Sequence, residues 1–272
     1  HYRFFKVYDP KLRSICAASF PERGLHHAIM NLCEPLLEAY AIHDTYACRK
    51  GKGNRKALLR AQRFARRHYW YLKLDIQKYF DSIDHGILLR LLARRIKDKE
   101  LLCLFAKLFE THHIRPGKGM PIGNLISQHL ANFYLGCFDH WIKEERKIKG
   151  YLRYMDDMLI FGNDRALLKP ELEEIRQYLH GRLALQLKAS VELNRCRHGF
   201  TFLGYRVFPG RIMLSQRSKR RFLHKFKRYE QTRHDGQWSE GELVRHMLPP
   251  IEFTRAAGAA GLSGCSGIRQ KQ

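Results

Sequence analysis

Three aspartates stand where oxygen ligands for divalent cations are needed. Asp75 lies near the end of an apolar, β-prone run, Tyr69 to Ile76, and Asp156-Asp157 interrupt a second such run, Tyr151 to Phe161, at its centre. In-line phosphoryl or nucleotidyl transfer uses two cations about 3.5–4 Å apart, one activating the attacking oxygen and one holding the leaving group, and hard oxygen ligands suit Mg2+. If the two runs are antiparallel neighbours in a sheet, all three carboxylates come within a few ångströms of one another. Such a cluster repels itself unless a metal is bound. Taken alone, however, an Asp-Asp pair reads more readily as a solvated turn than as a metal site.

The elements that must position these residues follow from periodicity. In the first run Trp70, Leu72, Leu74 and Ile76 share one strand face, and Tyr71, Lys73 and Asp75 take the other. The second run reads as a tight hairpin with both carboxylates at its tip. Upstream, residues 2 to 18 predict a β-hairpin around Asp9-Pro10-Lys11, with Lys11 and Arg13 near its tip. Apolar spacing from Pro21 to Tyr46 predicts a helix, followed by a basic, glycine-containing loop, Arg49 to Lys56, and a helix from Ala57 to His68. Gly86 to Glu110 and Asn124 to Lys147 read as helices, the second carrying Leu130, Phe133, Tyr134, Cys137, Phe138 and Trp141 on one stripe. Leu167 to Leu187 is an amphipathic helix and Phe200 to Phe208 a strand. Ser215 to Arg233 is a strongly basic helix with Phe222, Leu223, Phe226 and Tyr229 inward. The class is mixed α+β without repeats.

Fifty Lys and Arg against 26 Asp and Glu give a formal charge of +24, which draws polyanions and makes nucleic acid the leading partner class. Charge alone also fits a merely solvated basic surface. Seven scattered cysteines without a CxxC pair indicate neither a disulfide framework nor a zinc ribbon, and fit a reducing, cytoplasmic setting. Cys196 and His198 lack a second pair of zinc ligands. Charges interrupt every apolar stretch, so no membrane span or signal peptide is expected. The chain opens on His1 and closes on a Gly/Ser-rich basic tail, which suggests that natural segments are missing at either end.

Tyr154-Met155-Asp156-Asp157 resembles the active-site hairpin of reverse transcriptases. The run from Leu72 through Asp75-Ile76-Gln77-Lys78-Tyr79-Phe80-Asp81 to His85 resembles the first catalytic-aspartate motif of group II intron and related bacterial enzymes. Phe202-Leu203-Gly204-Tyr205 resembles the primer grip, and Lys11-x-Arg13 with Arg23 the finger residues that contact an incoming triphosphate. Ile122-Gly123 and Ser127-Gln128, within Gly119 to Gln128, stand where most relatives have Gln-Gly and Ser-Pro. That variant resembles the reverse transcriptases of diversity-generating retroelements, as do Tyr46 to Gly53, Asn194-Arg195 and His198-Gly199.

The resemblance, which spans about residues 7 to 230, implies a right-hand polymerase architecture. Fingers would comprise 1–66 and 86–118, an antiparallel-sheet palm 67–85 and 119–210, and a basic helical thumb with tail 211–272. It implies two Mg2+ ions, with Mn2+ able to substitute, held by Asp75, Asp156 and Asp157 and the Ile76 carbonyl. Phe80 would be the steric gate against ribose, and Gly123 would admit close backbone approach to the nascent pair. Ile122 would offer shape without a polar check on the base. Arg13, Arg23 and Lys188 would meet triphosphate charge, although Ser190 stands where the subfamily has a further lysine. Arg49, Lys50, Lys52, Gly204, Tyr205, Arg217, Arg220, Arg221 and Lys225 would contact nucleic acid.

In the resembled subfamily a template-repeat RNA is copied with errors opposite adenine, and the mutagenised cDNA replaces part of a target gene. The implied partners are template RNA, primer and nascent cDNA, deoxynucleoside triphosphates and a small basic helical accessory protein, in a bacterial, archaeal or phage setting. Two other readings stay open. One is a retron or group II intron type enzyme, which Ser127-Gln128 and the lack of a maturase or endonuclease extension in these residues argue against. The other is a non-catalytic RNA-binding descendant, which the joint presence of Asp75, Phe80, Asp156 and Asp157 opposes.

Overall fold

The computed structural model describes residues 3–8, 12–110 and 115–255. Lys11 and the Gly/Ser-rich tail lie outside the described residues. Strands β1 (Arg3–Tyr8) and β2 (Leu12–Ala17) form the expected hairpin. Helix α1 (Phe20–Tyr40) starts in a capping box, in which the Ser19 amide donates to Glu22, and stops at Tyr40 rather than continuing to residue 46. Helix α2 (Asn54–Arg67) then leads into β3 (Trp70–Asp75).

Strand β3 is central to an antiparallel sheet of order β4-β5-β3-β6, with β4 (Tyr151–Tyr154), β5 (Asp157–Gly162) and β6 (Glu192–Arg195). Both of its faces are covered. Leu72, Leu74 and Ile76 enter the larger core, and Tyr71 packs on Phe200 in a second one. A strand buried on two sides reads as an apolar run, which is why it stands out in the sequence.

Several expected elements are broken, each for a local reason. The run 86–110 is two helices, α4 (His85–Ala93) and α5 (Lys99–Glu110), because the Asp98 carboxylate accepts from Glu100 and Leu101 and caps a new start. The short α3 (Tyr79–Ser82) precedes them. The run 124–147 divides into α6 (Leu125–Tyr134), α7 (Gly136–His140) and a π-helical turn, Trp141–Glu145. The break falls where α1 crosses, since a Cβ on Gly136 would lie 2.6 Å from the Tyr40 ring. Helix α8 (Arg165–Leu183) ends at a left-handed Ala184, so that Leu187 bridges to Ile76 instead.

The expected strand 200–208 is two strands, β7 (Phe200–Phe202) and β8 (Tyr205–Val207), joined by Leu203 and Gly204 with φ of +50° and +85°. Two successive positive φ values make the tight turn that matches strand twist. Strand β9 (Ile212–Leu214) completes this second sheet. The basic helix is α9 (Gln216–His234), whose apolar residues are only half-buried. A further helix, α10 (Glu240–Arg255), which periodicity did not reveal, packs against it.

The deepest polar interaction joins β4 to α7. Arg153 and Asp139 are each 1% exposed and paired through two nitrogens and both carboxylate oxygens. The Arg153 guanidinium also donates to the Asn132 side chain and carbonyl and to the Met155 carbonyl, so all five of its N–H groups are used. Tyr151 donates a further bond to Asp139, at 2.6 Å. Removing one partner leaves an uncompensated buried charge. Asp139→Ala is therefore expected to lower unfolding free energy by about 3–5 kcal/mol in urea titrations, and Asp139→Leu combined with Arg153→Met by clearly less.

Candidate active site

The sheet register brings the three aspartates together. Asp75 is the Cα partner of Asp157 in the β3–β5 ladder, and Asp156 occupies the turn between β4 and β5. That turn requires a left-handed residue, Met155 at φ +55°, whose carbonyl is held by Arg153 at 2.9 Å. The buried ion pair thus reaches directly into the backbone that aims the carboxylates. The Ile76–Leu187 bridge is closed by groups of residues 75, 77, 186 and 188, not by those of Ile76 itself.

Two lysines attend the cluster. The Lys188 ammonium pairs with Asp75, and its amide donates to the Asp75 carbonyl at 2.8 Å. Lys73 lies 3.7 Å from Asp157 Oδ2 and donates to the Thr201 carbonyl at 2.7 Å. Lysine at 188 was expected to meet triphosphate, and in this structure it neutralises a carboxylate. Lys73 was assigned no chemistry in the sequence, although strand alternation already put it on the face of Asp75.

Burial pushes Asp157 up to about 7, with the charges of Asp75 and Asp156 adding to the rise and Lys73 opposing it. Burial, and then the charge of Asp75, also raise Asp156. Asp157 is 24% exposed as a side chain, yet its Oδ1, like that of Asp75, is fully covered and has no hydrogen-bond partner. Covered, unpartnered carboxylate oxygens on a repelling cluster fit a hard cation. Among the described residues no three His, Cys, Asp or Glu side chains form a ready-made metal cluster. The carboxylates are instead balanced by lysine.

Around this centre the sequence-expected residues divide. Lys78 is left-handed at φ +44° and starts α3, which carries Phe80. The Phe80 carbonyl accepts from Met120 at 2.8 Å, tying that turn to the segment leading into Ile122. Ile122 accepts from the Cys16 amide of β2 at 2.9 Å. Gly123 has φ +112°, and a Cβ there would lie 2.8 Å from Ile15 and 3.2 Å from the Cys16 carbonyl. The glycine is therefore already required by the hairpin packed on it. Arg23 and Gly123 line one cleft of about 790 Å3 together with Phe20, His27 and Asn124. The backbone of Arg13 lies in β2 opposite Val7.

Three residues expected to contact nucleic acid are engaged within the protein in this structure. Arg49 is 7% exposed and spent inside the protein, on Glu38 at 2.6 Å and on the Ile42 and Thr45 carbonyls. Tyr205 is buried under Phe253, to whose carbonyl it donates. Gly204 has no free face, since a Cβ would lie 2.8 Å from the same Phe253 ring. Lys52 is half-committed, donating to the His43 carbonyl at 2.8 Å, whereas Lys50, Arg217, Arg220 and Arg221 are exposed. Lys225 lines a cleft between α9 and α10 with Phe222 and Phe253.

Comparison with known proteins converges on one family. Residues 8–207 match the family described as reverse transcriptase (RNA-dependent DNA polymerase). The chain is 26% identical over 245 residues to Protein YkfC of Escherichia coli, covering 75% of this chain and 58% of the relative. It is 25% identical over 143 residues to the group II intron-encoded protein LtrA of Lactococcus lactis, covering 50% and 24%. Among solved structures, apo telomerase from Candida tropicalis aligns with a TM-score of 0.60 at 10% identity, covering 79% of this chain and 48% of that one. Telomerase from Candida albicans in complex with a telomeric RNA fragment aligns at 0.58 and 9% identity, over 99% and 55%. The fold is that of a right-hand polymerase, and the chain spans about half the length of several of these proteins. With its aspartates in register and its family matched over most of its length, the chain belongs to the reverse transcriptase (RNA-dependent DNA polymerase) family.

Proposed function

We propose that the protein is an RNA-directed DNA polymerase acting by two-metal nucleotidyl transfer at Asp75, Asp156 and Asp157. The observation that carries this reading is the Asp75–Asp157 register with Asp156 in the adjoining turn. Two Mg2+ ions held by these carboxylates and the Ile76 carbonyl would activate a primer 3′-hydroxyl and neutralise the leaving pyrophosphate. The chain's own residues do the rest. Arg153 fixes the turn, Phe80 borders the sugar position, and Arg13, Arg23 and Lys188 meet phosphate charge, Lys188 being the residue that would be released from Asp75 if a cation balanced that carboxylate. The β1–β2 hairpin with α1 and α2 serves as fingers, the β3 sheet as palm, and α9–α10 as a basic thumb on the primer–template backbone.

Within that reading we assign the chain to the diversity-generating type, on Ile122 and Ser127-Gln128, with a basic helical accessory protein as partner and a cytoplasmic site of action. The intron-encoded relatives favour a second reading, a group II intron type enzyme. Because the chain spans only part of those relatives, the lack of an extension in these residues carries no weight between the two. Template choice separates them, a template-repeat RNA against an intron RNA.

Three outcomes are expected. Purified protein, with accessory partner if required, extends a DNA primer on an RNA template in Mg2+, and Asp156→Ala abolishes extension. Absence of extension under both conditions would leave the non-catalytic RNA binder. Second, deep sequencing of products from Ile122→Gln shows fewer errors opposite template adenine, and an unchanged spectrum removes Ile122 from the cause.

The third concerns pH without metal. Asp157 rises from an ordinary value of 3.8 to about 7, so its ionisation opposes folding. The cost is absent below about pH 4, grows through pH 7, and reaches at most about 4 kcal/mol at pH 8, because each tenfold change in proton affinity is worth roughly 1.4 kcal/mol. Asp157→Asn lacks this cost. In metal-free thermal melts the variant should match wild type at pH 4 and exceed it at pH 8, and Mg2+ should narrow that gap.

A further inference from the structure

Away from the aspartates, the other end of the sheet carries a second cluster of charged and aromatic side chains. Trp70 and Asp75 lie at opposite ends of β3, roughly 17 Å apart at about 3.4 Å per residue. Around Trp70 the surface is cationic and aromatic. The Arg195 guanidinium lies 5.2 Å from the indole centroid and that of Arg165 5.6 Å from the same centroid. Among the described residues neither guanidinium is paired with a carboxylate, and both side chains are exposed. Each guanidinium is near enough to the indole to be held by it and keeps N–H donors open to a phosphate.

The neighbours supply what a bare charge pair lacks. Tyr69, next to Trp70 in the chain, is 73% exposed and Leu167, two residues beyond Arg165, 68%, so an aromatic and an aliphatic side chain are open to solvent near the two arginines in sequence. The Tyr69 backbone is tied on both sides, its amide donating to the Asn163 side-chain oxygen at 3.2 Å and its carbonyl accepting from the Cys196 amide at 2.8 Å. The adjacent acid, Asp164, is spent capping α8 through the Ala166 amide. Planar faces for bases interleaved with guanidinium groups for phosphates are how single-stranded RNA is held. An acidic peptide would use the charges but not the Tyr69 face.

We propose that the Tyr69–Trp70–Arg165–Arg195 surface is a docking site for single-stranded RNA, remote from the carboxylates, that anchors a template RNA outside the copied stretch. The identity of that RNA as template rests on the polymerase reading, and the binding itself does not. The site tethers RNA while the 3′ end is copied elsewhere on the sheet, so it acts on affinity and not on the chemical step.

The test uses the full chain and a fluorescein-labelled single-stranded RNA of about 20 nucleotides, with binding measured across a salt series. Arg165→Ala with Arg195→Ala should weaken binding about tenfold at 150 mM salt and reduce the slope of log affinity on log salt by roughly 1–2. Tyr69→Ala should weaken RNA binding about fivefold while leaving the salt slope and heparin binding unchanged, as lost base stacking requires. Lys97→Ala with Lys99→Ala, two exposed lysines elsewhere on the surface, removes the same charge and should have little effect. Equal loss in that control, equal loss of heparin binding by Tyr69→Ala, or unchanged affinity throughout would overturn the proposal. Extension of a saturating, pre-annealed primer–template by the patch variants should match wild type. If wild type itself fails to extend, the polymerase reading falls and the binding result stands on its own.

Discussion

The site depends on a charge pair that touches no substrate. Arg153 and Asp139 lie under the β4–β5 hairpin, and the guanidinium spends all five donors on one carboxylate, Asn132 and the Met155 carbonyl. A buried pair of this kind contributes little net stability over well-packed apolar residues, so its value lies in the geometry it enforces. Met155 is held in a left-handed conformation that costs a non-glycine residue about 1 kcal/mol or more. With the carbonyl fixed, Asp156 and Asp157 cannot relax away from Asp75. The β4 edge is fixed from outside as well, since the Arg153 amide donates to Asp44, which also binds Arg60 and Lys143.

The opposite condition holds a few ångströms above that pair. Three carboxylates are gathered where two of them resist ionisation, and only lysines balance them. Such an arrangement is unfavourable to the fold and suits a site that must attract cations without rearranging. The rigid pair below and the strained cluster above are complementary, because the first prevents the second from dispersing. Stability is given up at the cluster and recovered in the two cores that clamp β3 from both sides.

How much of this the sequence carried depended on whether a signal was local. The two strands and their aspartates were legible because burial on both faces makes apolar runs and the acids break them. The break at Asp98, the crossing at Gly136 and the Leu203-Gly204 turn were not seen, since each depends on a cap, a neighbouring helix or a two-residue conformation that periodicity averages away. Arg49 and Tyr205 read as nucleic-acid contacts by motif, yet their partners Glu38 and Phe253 are 11 and 48 residues away. Arg153 was visible as a charge between Leu152 and Tyr154, and Asp139 as an acid within an aromatic stripe. Only the fold pairs them.

Lys73 shows how the second sheet is coupled to the sheet that carries the aspartates. Its ammonium spans the Thr201 carbonyl of β7 and the carboxylate of Asp157, while Tyr71, two residues earlier, packs on Phe200 of the same strand. Beyond β7, Tyr205 and Gly204 are closed off by Phe253 of α10, so contacts run continuously from β3 through the small sheet to α10, which packs on the basic α9. A displacement of α9 and α10 by a bound polyanion would load Thr201 and hence Lys73. Were a cation to take over the charge of Asp157, Lys73 would lose one of its two partners and keep the other. The lysine would then stay on the β7 side and keep the small sheet anchored beside the aspartates through Thr201.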